Sequence, residues 1–483
     1  MGILSSCEPK KLFEYFEWIS SVPHGSGNTG PISELCTTFA KEHGFRYIKD
    51  DLNNVVIYKQ GTPGYENSEP VILQGHIDMV CAKDDDCDID MSRDGLRLKT
   101  DGEWVSAEGT SLGADNGVAV ATIMALLDDE SVEHPPIEAL LTVDEETGMD
   151  GAAGFDVSHL KGRRLINMDS EEEGVFTAGC SGGVRVTCSM PVTRQKSTEG
   201  EAFVRISIFG LLGGHSGVDI DKGHASANKL MARMLFDLNE KIGISLAQLD
   251  GGKLDNVISS RAEALIGVNT SKLAEVNDMV FSYDAVFKRE FKSSDPGVTV
   301  AVSEEEYCGA VLTESDKKKL LLALLMLPQG VEEMSFDIEG LVQTSLNLGI
   351  IRLREDSFDF SFAVRSALKS QKEMLVTRVR AIAEHFGAEV VLSGDYPGWA
   401  FCKDSKLLEL VKTVYKEKTG KEGVVSAIHG GLECGLFIDK MPGLDCISIG
   451  PELHDVHSTR ERLNVPSTGR MYELVKDILK RLK

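Results

Sequence analysis

Five short segments of the chain carry the histidines and acids that could do chemistry. In LQGHIDMV, His76 and Asp78 stand two apart where an apolar run ends. Residues two apart on a strand share a face, so the pair suits a metal-ligating imidazole and the carboxylate that fixes its tautomer. Taken alone, it reads more simply as a strand-end histidine beside a surface acid. Asp115, in SLGADNG, sits at an expected helix start, where aspartate is an ordinary N-cap. Asp144, Glu145 and Glu146 close the apolar run IEALLTV. Three adjacent carboxylates repel one another unless cations or water compensate. One can bind a metal while its neighbour takes a proton from water, or the three form an exposed acidic turn. Asp169 closes RLINM, and His454 and His457 follow LDCISIG. Each signal is weak. Their conjunction is not, because imidazoles and carboxylates together suit zinc, manganese or cobalt better than magnesium or calcium.

The elements that must position these residues can be read from apolar patterning. Between 71 and 180, strand-like PVILQGHI, IEALLTVDEE and RLINMDS alternate with the helix-like LGADNGVAVATIMALLDDE. That alternation predicts an α/β sheet with helices on both faces, whose ligands gather where strands run out. The glycines of GCSGG, at 179–183, mark a boundary. From 184 to 396 strand-like FVRISIFG, AEALIGVN, TSLNLGIIRL and FDFSFAVRS mix with helix-like runs, predicting an α+β domain. After DYPGWA the α/β pattern resumes and ends in the helix MYELVKDILKRLK. Residues 1–183 and 397–483 are therefore expected to form one domain interrupted by another, 184–396.

Composition removes several alternatives. The 483 residues carry a formal charge of −25, which repels phosphate backbones and argues against a nucleic-acid partner. The longest apolar stretch, Val118–Leu127, is half a membrane span, so no membrane is expected. Ten cysteines without a C-x-x-C pair suggest reduced thiols in a cytoplasmic setting. GCSGG fits G-x-S-x-G, but that nucleophile motif needs a helix after it, and VRVTCSM reads as strand. Asp86, Asp88 and Asp90 begin a calcium-loop spacing in which Met91 replaces the required glycine.

The set GHIDMV, GADNG, DEETGM, NMDSEE, FGLLGGHSG and HGGLECG, closing with HS-x-x-ER, resembles the aminoacyl-histidine dipeptidases. These are also called cytosolic non-specific dipeptidases and are related to carnosinases and the di-zinc aminoacylase and carboxypeptidase group. The resemblance covers nearly the whole chain in order. It implies a mixed-sheet catalytic domain, interrupted by an α+β lid and dimerisation domain. It also implies two divalent ions, zinc before manganese or cobalt, and metal-dependent hydrolysis of Xaa-His and other dipeptides. His76 and Asp169 would hold one ion, Glu146 and His457 the other, with Asp115 bridging the two and joined to Asn116 by a cis peptide. Asp78 would orient His76, and Glu145 would be the general base for water activated by the ion pair. In the inserted domain, His215 would stabilise the oxyanion and Asn256 and Arg365 would grip the substrate, while Gly431, in the HGGLECG loop, would add backbone contacts. His429 and His454 are read as supports beside the site. A homodimer acting on small peptides is expected. An aminoacylase or other amide hydrolase on the same scaffold is the alternative.

Overall fold

The computed structural model describes residues 2–483. The chain forms two compact units. The first runs to Cys180 and resumes over Trp399–Ala427 and Leu432–Lys483; the second comprises Ser181–Gly398 and the short return Ile428–Gly431. The sequence expectation gave all of 397–483 to the first part, so His429 and Gly431 fall in the other unit from the one assigned to them.

In the first unit, Val71–His76 and Ile137–Thr142 are buried along their whole length. That is why their sequences are continuous apolar runs rather than alternating ones. They lie side by side in a mixed eight-stranded sheet, with Arg164–Asn167 on the other flank of Val71–His76 and Asp445–Ser448 beyond it. These four strands are parallel, with Thr142 opposite His76 and Asn167 opposite Gln74. Their carboxyl ends therefore finish together, and the loops that follow leave from one edge. Arg46–Lys49 and Val55–Lys59 add an antiparallel flank. The helix Ala114–Asp128 packs on Val71–His76 and on the helices Lys10–Ser20 and Val465–Arg481. It is enclosed all round, so Gly117–Leu127, Thr122 apart, is apolar on every face.

Asp115 is not the N-cap that it resembles. Gly113 occupies that position with φ of 65°, and Asp115 and Asn116 have non-helical dihedrals before the helix proper begins. The last helix starts at Val465, earlier than its apolar periodicity shows, because Asn464 caps Ser467 and Pro466 fits the first turn.

The second unit is a nine-stranded antiparallel sheet with four long helices, Ala227–Lys241, Leu273–Glu290, Glu314–Met326 and Lys369–His385. Along Ser357–Ser366, Phe358, Phe360, Phe362 and Val364 point into the core at alternate positions. Arg365 is thereby placed on the opposite face.

Gly75 shows how tightly the first unit is packed around His76 and Asn116. A Cβ there would come 2.5 Å from Asn116 Oδ1 and 2.8 Å from Ala119 Cβ. The Asn116 amide accepts from His76 N at 3.3 Å and donates to Met168 O at 2.8 Å, tying together the segments that carry His76, Asp115 and Asp169. Gly75→Ala is expected to cost about 1–3 kcal/mol of stability through overpacking. Divalent-ion binding in a calorimetric titration should weaken with it, more than in an equally destabilised variant remote from Asn116.

Candidate metal centre and active site

Loops leaving the sheet edge bring His76, Asp115, Glu146, Asp169 and His457 together. His76 Nε2 lies 3.2 Å from Asp115 Oδ1 and 3.4 Å from Asp169 Oδ1. His457 Nε2 lies 3.1 Å from Asp115 Oδ2 and 2.9 Å from Glu146 Oε1. The two oxygens of Asp115 thus face two different imidazoles, each of which also has a second carboxylate beside it. Ligand atoms of His76, Asp115 and Glu146 lie within 4.8 Å of one another. The peptide bond between Asp115 and Asn116 is cis. Asp144 and His457 have left-handed backbones, with φ of 54° and 60°, which few non-glycine residues adopt. These bends turn the side chains inward where regular strand would send neighbours to opposite faces.

His76 is the last residue of its strand, so Asp78 reaches back from the loop rather than along a shared strand face. His76 Nδ1 lies 3.0 Å from the Asp78 carbonyl and 3.4 Å from its carboxylate, leaving Nε2 for the centre. The same carboxylate accepts from Ser26 Oγ and from the backbone N–H groups of Glu145 and Glu146. Asp78 therefore sets the imidazole and the acidic loop at once.

Charge explains what this cluster would hold. Asp78, Asp115, Glu145, Glu146 and Asp169 surround two imidazoles, and none of these carboxylates pairs with a lysine or arginine among the described residues. The chain alone can balance them only with protons. Burial pulls the His76 imidazole down, but Asp169, Asp115 and Asp78 outweigh it and hold it well above its ordinary value. Hydrogen bonds to Asp115 and Glu146 raise His457 to about 11. Burial lifts Asp169 to about 7 against the pull of His76, with repulsion from Asp115 and Glu433 adding to it. Burial likewise lifts Glu145 to about 8 against His76, helped by Asp169, Glu146 and Asp115. Divalent cations would replace these borrowed protons, and the nitrogen and oxygen donors fit borderline ions.

Two buried acids were given no role from sequence. Glu433, fully buried, accepts from Gln74 Nε2 and Thr142 Oγ1 beneath the strand ends, and burial raises it to about 8. Glu461 accepts from backbone N–H groups of the loop before Asp115. It stands in the quoted HS-x-x-ER segment, but nothing in that string shows which amides it meets. His454 bonds Glu452 and Arg462 and lies against the Trp104 ring.

The second unit gathers the other expected residues. Arg365 and Asn256 line one cavity of about 180 Å³, with Gly183, Arg185, Asp255 and Tyr396. Arg365 is only 9% exposed, yet its side chain meets no carboxylate among the described residues. Its Nη1 donates to Tyr396 Oη at 3.1 Å, its Nη2 lies 3.5 Å from His215 Nε2, and its Nε has no partner. His215 Nδ1 accepts from the N–H groups of Gly217 and Val218, so its proton sits on Nε2. Burial, then the Arg365 charge, lowers its pKa, keeping the ring neutral. His429 Nε2 lies 2.7 Å from Ser345 Oγ, and Gly431 follows two residues on in the same return segment.

Ser181 lies between two strands, Val175–Cys180 and Gly182–Pro191, and donates to Gly430 O, so the strand–helix elbow of a serine nucleophile is absent there. Asp88 and Asp90 are taken up by Arg97, Ser92 and Arg93.

Ion uptake should release protons, since the free cluster holds them on His76, His457, Asp169 and Glu145. The free form binds more protons than the loaded form, so affinity should rise with pH from about 7 toward 11. Zinc titrations in buffers of different ionisation enthalpy would measure the release; a buffer-independent heat would contradict it.

Comparison with known proteins agrees with this geometry. The peptidase family M20/M25/M40 matches residues 72–481. The cytosol non-specific dipeptidase of Escherichia coli is 36% identical over 482 residues, covering 100% of this chain and 99% of that protein. The crystal structure of aminoacylhistidine dipeptidase from Vibrio alginolyticus superposes with a TM-score of 0.94 at 35% identity, over 99% of this chain and 97% of that one. The aminopeptidase PepT of Bacillus cereus shares the fold alone, with a TM-score of 0.58 at 15% identity over 99% of both chains. The chain belongs to the peptidase family M20/M25/M40.

Proposed function

We propose that this protein is a metal-dependent dipeptidase that cleaves Xaa-His and other dipeptides. The observation that carries the reading is the divided geometry of Asp115, whose two oxygens each face one imidazole–carboxylate pair. His76 and Asp169 would hold one divalent ion, His457 and Glu146 a second, with Asp115 shared. When bound, the ions supply Lewis acidity, polarising the scissile carbonyl and acidifying water toward a pKa of about 7. Zinc as the resident ion, cytoplasmic residence and a homodimer belong to the same proposal.

The chain's own residues would do the remaining work. Glu145 stands beside Asp115, Glu146 and Asp169 with no hydrogen-bond partner for its carboxylate among the described residues. Such a group readily takes a proton from water and passes it to the leaving amine. Asp78, by accepting from the N–H of Glu145, holds that carboxylate's backbone in place. In the second unit, His215 Nε2–H would donate to the carbonyl oxygen as charge builds there. Arg365 would grip the terminal carboxylate, with Asn256 and the Gly431 backbone assisting. A buried guanidinium without an acid is costly until an anion arrives. The 3.5 Å between Arg365 and His215 suits a carboxylate one residue from the scissile carbonyl, as in a dipeptide.

Hydrolysis of Ala-His, β-Ala-His, Gly-Leu, N-acetyl-methionine and a tetrapeptide, with ions and after chelation, tests the reading. Cleavage of the dipeptides alone, and only with ions, is expected. Preference for N-acetyl-methionine would move the protein to the aminoacylase reading. Glu145→Gln should lower kcat by about 10²–10⁴-fold while ion binding persists. Arg365→Met should act mainly on KM, by roughly 10–100-fold, from the loss of a charge-assisted contact. An unchanged KM in that variant would remove Arg365 from carboxylate recognition.

A further inference from the structure

Glu461 is 2% exposed, and no lysine or arginine answers its charge among the described residues. Backbone amides answer it instead. Its Oε2 accepts from Leu112 N at 2.7 Å and Gly113 N at 3.1 Å, and its Oε1 from Ala114 N at 2.8 Å and Asp115 N at 3.3 Å. Four consecutive N–H groups converge on one carboxylate because Gly113 adopts the left-handed conformation, folding the chain into a concave nest just before the helix. A side chain at Gly113 would strike Met79 Sδ at 2.7 Å, so the nest is also held from outside.

Glu461 itself is firmly placed. Its N–H donates to Ser458 O, and the next residues, Arg462–Asn464, pair with Trp104–Ser106. Leu463 is fully buried, and Arg462 lies over the Trp104 ring at 4.7 Å. Four residues before Glu461, His457 reaches the side chain of the same aspartate. One short segment therefore grips Asp115 twice, by its carboxylate through His457 and by its main chain through Glu461.

We propose that Glu461 is a positioning residue. It fixes the backbone at Asp115 so that the two carboxylate oxygens diverge toward His76 and His457, and so sets the separation at which a pair of divalent ions is held. This rests on the reading that Asp115 bridges two ions. Glutamine at this position keeps the shape but turns an NH₂ group toward two of the amides. Aspartate keeps the charge but is one methylene too short to serve both pairs.

The test uses Mn²⁺ with the full-length wild type, Glu461→Gln and Glu461→Asp. Calorimetry counts ions and affinities, and electron paramagnetic resonance reports magnetic coupling between paired manganese ions. The wild type should bind two ions with a coupled spectrum. Both variants should bind the second ion about 10–100-fold more weakly, the cost of losing a support to a metal ligand. Their spectra should shift toward isolated manganese, and kcat should fall with KM for Ala-His nearly unchanged. Two-ion binding with wild-type coupling in either folded variant overturns the proposal. Loss of fold in both variants, seen as absent cooperative melting without metal, also overturns it by making Glu461 a structural support only. A wild type that binds a single ion instead refutes the bridging reading on which the proposal stands.

Discussion

Repulsion among buried carboxylates governs how the first unit is built. Five acids converge at one sheet edge with two imidazoles among them, and such groups cannot all ionise in a poorly solvated site without cations. Parallel strands ending in register make the convergence reproducible. The left-handed turns at Asp144 and His457 supply bends that regular strand cannot, and the Asn116 amide stitches the ends together. An assembly of this kind is stressed when empty, so whatever cation binds the native fold also stabilises it.

The second unit holds the opposite imbalance. Arg365 is buried without an acid, beside a neutral histidine whose remaining proton faces outward from its own turn. One unit carries anions awaiting cations, and the other a cation awaiting an anion.

Much of this was legible in the sequence because the clustered acids and histidines follow apolar strands. LQGHIDMV, TVDEETGM and INMDSEE announce a strand and its acidic end in one string, and the order of elements along the chain gave the interrupted architecture. Asp115 was harder, since ADNG also reads as a helix cap, a position that Gly113 takes instead. Glu461 illustrates what local sequence cannot express. Its partners are main-chain N–H groups, which have no letter in the sequence, in a loop hundreds of positions earlier. His429 and Gly431 were misassigned for a related reason: a four-residue return to the other unit is too short to leave a periodic signal. The start of the last helix was hidden because NVPSTG is specified by capping rather than by apolar spacing.

The strand Asp445–Ser448 lies inside its sheet, between Arg164–Asn167 and Val175–Cys180, yet it is made after the whole of the second unit. A ribosome adding about 5–20 residues per second would need on the order of tens of seconds to pass from Asp169 to His457. Throughout that interval the nascent sheet has an empty slot with unpaired backbone on both sides, the kind of edge that recruits foreign strands. The acidic cluster meanwhile lacks its last imidazole. Birth order thus places completion of the acidic cluster late, after the whole of the second unit has been made.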